Sequence, residues 1–451
     1  MSFPRYEHYK DSGVEWLGKV PAHWEVKSIK HLSSRISSGK TPLGGSETYV
    51  DDGVIFIRSQ NVYDDGLHLD DVVFISNDVD DLMAASRIMP GDILLNITGA
   101  SIGRSCIVPA DLEHANVNQH VCAIRPIEKS IAAHIEWSLK SVNIKRQIDF
   151  VQNGAAREGL NFDQIGSMKI AVPPNAEGAL ISKYLTSETT KLDALITEQR
   201  TLIDLLKEKR QAVISHAVTK GLDPRVPMKD SGVEWLGEVP VHWDVTKAGR
   251  YLSILPGYAF PSTEFSLDEA NTKLLRGINV GVSKIKWDET VYWKRFDGDG
   301  LDAFELADGD IVIGMDRPYI SEGMRVARIS EADLPCLLLQ RVAAIRASGK
   351  LSDDNILLLL SSNMFLDHFS PETTGVSVPH ISPSQIAEFI IPIPPLEEQK
   401  DIFKWVEVET TRIDALTAEA QTTIALLQER RSALISAAVT GKIDVRQAAP
   451  A

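Results

Sequence analysis

The stretch DSGVEWLGKVPAHWEV at residues 11–26 returns, nearly unchanged, as DSGVEWLGEVPVHWDV at residues 230–245. Identity of that length at one shift marks an internal duplication. A second pair lies further along: TKLDALITEQRTLIDLLKEKRQAVISHAVTKGLD from Thr190, and TRIDALTAEAQTTIALLQERRSALISAAVTGKID from Thr411. The whole chain is written twice. Between these blocks the two copies diverge strongly, yet their landmarks stay in step. GDILLNITGASIGRS from Gly91 answers GDIVIGMDRPYISEGM from Gly309, and NQHVCAIRP from Asn118 answers LQRVAAIRA from Leu339. Each copy then closes on a Pro-Pro pair, LNFDQIGSMKIAVPP ending at Pro174 and ISPSQIAEFIIPIPP ending at Pro395.

A chain of 451 residues exceeds the length at which a single core usually splits, so several domains are expected. Its 43% hydrophobic and 24% charged residues belong to an ordinary globular protein. Short β-branched runs such as GVIFIRS, DVVFIS and GDIVIG, set between Gly, Asp and Asn turns, predict strands, and AAHIEWSLKS predicts a helix. Each divergent stretch therefore reads as a mixed α/β domain. The amino terminus has no apolar run behind a basic start, and no 18-residue apolar stretch could span a bilayer, which implies a soluble, cytoplasmic protein without membrane contact. Cys106, Cys122 and Cys336 lack CxxC or Cys/His spacing, so buried free thiols are expected rather than a zinc site or disulfides.

The repeated segments after the Pro-Pro pairs carry a different period. Leu192, Leu195, Leu202, Leu206 and Val213, with Ile196 and Ile203 beside them, recur at spacings of three and four, and so do Ile413, Leu416, Leu427 and Leu434 beside Ile424. These predict long amphipathic helices with an apolar seam. A helix of roughly 30 residues is about 45 Å long, too long for one small domain to cover, so its stripe should meet the helix of the other copy. Packing on its own domain is the alternative. Lys220-Gly221 and Gly441-Lys442 supply the stop signals, and Gln199, Lys209 and Arg430 interrupt the seams as polar residues that set register. The expected division is 1–180 for the N-terminal segment and first domain, 181–222 for the central helix, 223–400 for a linker and second domain, 401–444 for the C-terminal helix and 445–451 for a tail.

SGVEWLGKVPAHWEV, GDILLNITGASIGR, GDIVIGMDRP, IPPLEEQ from Ile393 to Gln399 and the paired LDAL and IDAL helices together resemble the specificity subunit of type I restriction–modification systems. The resemblance covers essentially the whole chain, and the order and duplication of the motifs carry it. It implies a mixed α+β fold: two target-recognition domains in a tandem pseudo-twofold repeat, separated by two long helices that form an antiparallel coiled coil. It further implies that each domain reads one half of a bipartite, asymmetric double-stranded DNA site. The helices would set the spacing and dock two modification subunits that methylate adenine N6, and restriction motor-nuclease subunits would join them. Chemistry would then belong to the partners: this chain is expected to be non-catalytic and to hold no cofactor, with S-adenosylmethionine, ATP and magnesium only in partner subunits. One departure stands out, because the first copy reads NAEGALISKYL where the second reads LEEQKDIFKWV, closer to the family pattern.

Net charge sits awkwardly with a DNA partner. The chain carries −15, and residues 27–180 hold 14 Lys and Arg against 19 Asp and Glu, whereas phosphate neutralisation supplies most non-specific affinity. The two agree if this chain reads bases while its partners grip the backbone. Base readers need Arg, Lys, Asn or Gln near turns. The candidates are Lys40, Arg58, Gln60, Asn61, Arg104, Asn118 and Arg157 in the first domain, and Arg276, Asn279, Lys284, Lys286, Arg317 and Arg325 in the second. Taken singly, each is equally at home as a solvated surface side chain.

Rival motifs are weaker. FDGDG at Phe296–Gly300 matches a methyltransferase glycine loop, but YWKR precedes it in place of an apolar strand, and no Asn-Pro-Pro-aromatic or Asp-Pro-Pro-aromatic tetrapeptide occurs. SSGKT at Ser37–Thr41 has Ser34 where a phosphate-binding loop needs glycine, and Gly257 matches Gly39 in the second copy, so a tight turn is the better reading. The acceptor-like Asn96-Ile-Thr carries no weight in a cytoplasmic chain. No HExxH or metal-ligand cluster is written, and His23 and His242, each beside a repeated tryptophan, read as structural. Two other functions stay open: a stand-alone DNA methyltransferase, which would bind S-adenosylmethionine by itself, and a coiled-coil scaffold without a sequence-specific footprint.

Overall fold

The landmarks shared by the two copies build the same sheets twice. The computed structural model describes residues 4–152, 159–320, 323–373 and 380–446. In the first copy Ser105–Ile107, Ile93–Asn96, Val121–Pro126 and Ser33–Ser38 form an antiparallel sheet in that order, which Val326–Arg328, Ile311–Gly314, Val342–Ala347 and Leu252–Pro256 repeat in the second. A second sheet sets Val54–Ile57 parallel to Ala115–Val117, and Thr272–Leu275 parallel to Cys336–Leu338. The central runs Ile93–Asn96 and Ile311–Gly314 are wholly buried, as continuous apolar strands covered on both faces must be. Gly91 and Gly309 both take φ +90, a turn that glycine enters without steric cost. That turn precedes Asp92, which accepts 2.8 and 2.7 Å bonds from Arg125, and Asp310, which accepts two of 2.6 Å from Arg346. Both carboxylates are buried and would be costly without these bidentate partners, so GDI and AIR persist together in both copies.

The chain divides into two compact units, with boundaries after Gln199 and after Gln421. Two long helices, Asn175–Lys220 and Leu396–Val439, each give one half to each unit. Both start next to the Pro-Pro pairs, ahead of where the apolar period begins, because proline ends the preceding strand and is tolerated at a helix start. In the first unit Ile181 and Leu185 pack with Ile435 and Ala438, while Asp193, further along, pairs with Arg431 at 2.9 Å. In the second, Ile214 and Ala217 share a core with Ile402 and Val406, and Arg210 pairs with Asp414 at 3.1 Å. Within each unit the helices thus run antiparallel.

The seam differs in detail from the sequence expectation. Leu192, Leu206 and Ile413 are buried, as are Ile196, Ile203 and Ala420, whereas Leu195, Leu202 and Leu416 are 43%, 42% and 44% exposed. Val213, Leu427 and Leu434 are half-buried. Eleven residues make close to three full turns, so Ile203 stays in line with Leu192 while Leu202 falls on the flank. The polar seam positions shift likewise: Lys209 and Arg430 are exposed and Gln199 half-buried, and the adjacent Arg210 and Arg431 make the inter-helix ion pairs.

The duplicated tryptophan motif clamps onto the helix starts. Trp24 and Trp243 are fully buried, and each indole N–H donates at 3.1 Å to a first-turn glutamate, Glu177 or Glu398. His23 and His242 reach the other oxygen of the same carboxylates at 2.8 Å. An acid in the first turn also suits the helix dipole. The unlike segments NAEGALIS and LEEQKDIF therefore share the one residue that the clamp uses. Gln399, fully buried, donates to the carbonyls of Lys350 and Pro394, and Gly178 at the matching place packs on Pro173 and His134. In the first unit the Asp444 N–H donates to the Pro4 carbonyl at 2.8 Å and the Tyr9 hydroxyl to the Gly441 carbonyl at 3.0 Å. The three cysteines are buried and unpaired, and burial pushes each thiol up to about 12.

A second duplicated device is an Arg-x-x-Asn staple. Asn61 accepts from the Arg58 N–H at 3.0 Å and donates to the His68 and Asp71 carbonyls, while the Arg58 guanidinium donates to the Asp71 carbonyl at 2.9 Å. Asn279 accepts from the Arg276 N–H at 3.0 Å and donates to the Lys286 carbonyl at 2.8 Å, while the Arg276 guanidinium donates to the Glu289 carbonyl. Both asparagines are 2% exposed. Two outcomes follow for stability in denaturant unfolding. Ile196→Ala should cost about 2–4 kcal/mol and Leu195→Ala less than about 1 kcal/mol, and equal losses would contradict the seam. Asn61→Ala, which strands the Arg58 N–H and the His68 carbonyl while the Asp71 carbonyl keeps its Arg58 donor, should cost about 1–3 kcal/mol.

Candidate nucleic-acid interface

Strand direction brings four connections to one edge of the first unit. Ser33–Ser38 and Ile93–Asn96 both run antiparallel to Val121–Pro126, so their C-terminal ends lie together. Ala115–Val117 leads through Asn118, Gln119 and His120 into that same strand, and Val54–Ile57 runs parallel beside it. The segments 39–41, 58–61, 97–104 and 118–120 thus share an edge, and loops on a rigid scaffold are where recognition residues belong. They enclose a cleft of about 460 Å³ lined by Gln60, Tyr63, Thr98, Ser101, Arg104 and His120. The Arg104 guanidinium lies 5.0 Å from the centre of the Tyr63 ring. His120 bridges the Thr98 hydroxyl at 2.6 Å and the Gln119 amide at 3.0 Å, and the Thr41 hydroxyl donates to Gln119. Gly39 serves this edge by close approach rather than as a tight turn: a Cβ there would lie 1.5 Å from the Val117 carbonyl oxygen, and one on Gly257 would lie 2.2 Å from that of Leu339.

The second unit presents the same edge with other chemistry. Its connections are 257–258, 276–279, the described part of 315–325, and 339–341. Asp316 accepts from the Arg341 guanidinium and pairs with His380 Nδ1 at 2.6 Å. Burial works to raise the Asp316 pKa, but the bonds from Arg341 and His380 outweigh it and hold the carboxyl below its ordinary value. A depressed carboxylate contributes above its unfolded pKa and loses that contribution as pH falls through the lowered one, so the Asp316 carboxylate stays ionised at neutral pH. Tyr258, 43% exposed, packs edge-on to Phe260 at 5.0 Å. In the aligned copies His120 answers Arg341 and Thr98 answers Asp316.

The residues singled out from sequence divide sharply. Lys40, Gln60 and Arg104 are exposed at the first edge, with Gln60 also donating to Asp71 at 2.8 Å. Asn118, half-buried, accepts from the His120 N–H at 3.1 Å. Arg317 is exposed at the second edge with φ +45. Asn61 and Asn279 are not free to read bases, because their polar atoms are spent inside the staples, and Arg58 and Arg276 are tied down with them. Arg325 is likewise turned inward, donating at 3.0 Å to the Val280 and Asp316 carbonyls. Lys284 and Lys286 are exposed, on a hairpin beside the long helices. Arg157 lies outside the described residues. Sequence reasoning missed Thr41, Tyr63, Thr98, Gln119 and His120, and Tyr258, Asp316, Arg341 and His380. The available signal was alignment of the copies, since several of these differ just beside matched strands. FDGDG is a surface turn with Gly298 and Gly300 at positive φ, closed by Asp299 on Arg295 at 2.6 Å. Among the described residues no group of three or more His, Cys, Asp or Glu is placed to hold a metal ion, and no helix is long and apolar enough to cross a membrane.

Comparison with known proteins bears on this edge. The sequence model of the type I restriction modification DNA specificity domain matches residues 21–205 and 297–424. The specificity subunit of the type I restriction enzyme EcoAI from Escherichia coli is 27% identical over 280 residues, which are 60% of this chain and 46% of that one; the chain thus spans about half of that relative's length. The putative MjaX specificity subunit of Methanocaldococcus jannaschii is 22% identical over 456 residues, 99% of both chains. A solved structure from work on complex assembly and conformational transition of the type I R-M system superposes with a TM-score of 0.69 at 16% identity, covering 93% of this chain and 98% of that one. That likeness concerns the fold, and the sequence matches, one for each half of the duplication, carry the assignment: the chain belongs to the type I restriction–modification DNA specificity family.

Proposed function

We propose that this chain is the non-catalytic DNA reader of a type I complex, each unit reading one half of a bipartite, asymmetric duplex site. The observation that carries this reading is one scaffold built twice with unlike edges, Thr98 and His120 in one copy against Asp316 and Arg341 in the other. Identical edges would suit a palindrome, and unlike edges suit unlike half-sites. Arg104 has the donor fork that pairs with guanine in the major groove, and His120, Gln119 and Gln60 offer donors and acceptors beside it.

The long helices set the spacing of the half-sites and dock two modification subunits. Val408, Leu426 and Leu205 are 60%, 60% and 56% exposed on them and are available to such partners. The modification subunits supply S-adenosylmethionine and adenine-N6 methylation, and motor-nuclease subunits supply ATP- and magnesium-dependent cleavage. With a net charge of −15, the isolated chain binds DNA weakly, and its partners add the backbone grip.

The test is genome-wide mapping of methylated adenines after co-expression with the cognate modification subunit. One split motif that disappears without this chain is expected; methylation unchanged in its absence refutes the reading. Exchange of residues 27–180 for the matching domain of a relative should alter one half-site and spare the other. Arg104→Ala should weaken discrimination at one base by about 1–3 kcal/mol, read as methylation of motif variants differing in that half-site alone.

A further inference from the structure

The aligned hairpins that follow the two staples carry opposite charge. RSQNVYDDGLH at 58–68 matches RGINVGVSKIK at 276–286, so Asp64, Asp65, Gly66 and His68 stand where the second unit has Val282, Ser283, Lys284 and Lys286. On the neighbouring helices Gln428 stands where the second unit has Lys207. In the first unit Asp64 accepts from the Ser105 N–H at 3.1 Å and Asp65 pairs with His68 at 3.0 Å, so the hairpin itself is acidic and carries no lysine, with the cations Lys140 and Arg431 beside it.

In the second unit the same corner is a cleft of about 550 Å³ between the hairpin and the helix pair. Lys207, Arg210, Lys284 and Lys286 line it, and among the described residues Asp414 is the one acidic lining residue, already paired to Arg210. The hairpin is rigidly held: the Ser283 N–H donates to the Val326 carbonyl at 2.8 Å, and the Lys286 carbonyl accepts from Asn279. Lys284 and Lys286 are exposed, and among the described residues neither ammonium group has an ion pair or side-chain hydrogen bond. Lys207 is half-exposed and, among the described residues, its ammonium pairs only with Asp204, on its own helix, at 3.3 Å. Three lysines lining one cleft, in a chain of net charge −15, make a local positive field that attracts polyanions.

We infer that this cleft holds backbone phosphates of the duplex beside the half-site read by the second unit, with no counterpart in the first. The second unit then carries the larger share of the salt-dependent affinity, while its base-reading edge lies only a staple away. The inference rests on the DNA-reading function proposed above.

The test uses the full chain co-purified with its modification subunits and a labelled duplex containing the methylated motif, with Kd measured from about 50 to about 200 mM salt. Each phosphate contact contributes about 0.9 to the slope of log K against log salt. The triple variant K207Q/K284Q/K286Q should therefore lose about 2–3 from that slope, and K284Q or K286Q alone about 1, with the methylated motif unchanged. Lys→Arg replacements should retain the slope. An unaltered slope in the triple variant overturns the phosphate site while leaving DNA reading intact. A changed motif also overturns it, because the lysines would then be reading bases. Failure of the unsubstituted complex to bind duplex even at the lowest salt overturns both.

Discussion

A helix of more than forty residues with an apolar stripe needs a partner of matching length, and everything else in this protein is arranged around that need. Leu192, Ile196, Ile203 and Leu206 on one helix and Ile413 on the other are buried although neither helix is covered by its own copy alone. Each unit takes the first half of one helix and the second half of the other, so the first unit lacks Ile435, Ala438 and Val439 until the C-terminal residues have been made. Trp24 and Trp243 then lock the repeated segment onto the helix starts through Glu177 and Glu398. A single carboxylate serves an indole, an imidazole and the helix dipole at each place, which accounts for the persistence of the tryptophan motif in both copies.

Framework and edge are physically separable. Asp92 with Arg125 and Asp310 with Arg346 hold the strands in register from inside, and the staples hold the loops that leave them. Neither device uses Thr98, His120, Asp316 or Arg341, so Thr98 can stand against Asp316 and His120 against Arg341 without disturbing the sheets. Such a scaffold allows two different recognition surfaces at no cost to the shared core.

Charge divides the copies in a second way. The acidic hairpin of the first unit and the lysine-lined hairpin of the second sit on the same backbone. The negative total charge therefore hides a local concentration of cations, which a composition count over a whole domain averages away.

The duplication, the strand landmarks and the existence of two long helices were legible in the sequence, because a nearly unchanged repeat and a period of three to four need no tertiary knowledge. Membership of the family followed from the order of the same motifs. Which leucines enter the seam was not legible: Leu202 and Ile203 are equally apolar, and only the drift of the helix past three turns puts one inside and one on the flank. Nor was the fate of Asn61, Asn279 and Arg325, since a polar residue near a turn looks the same whether it faces solvent or bonds a distant carbonyl. By itself the sequence determined the duplicated framework, since local periodicity and self-similarity are properties of the chain. Only the tertiary structure decided which polar side chains remain available at the edge, because availability depends on partners brought close by strand pairing rather than by neighbouring positions.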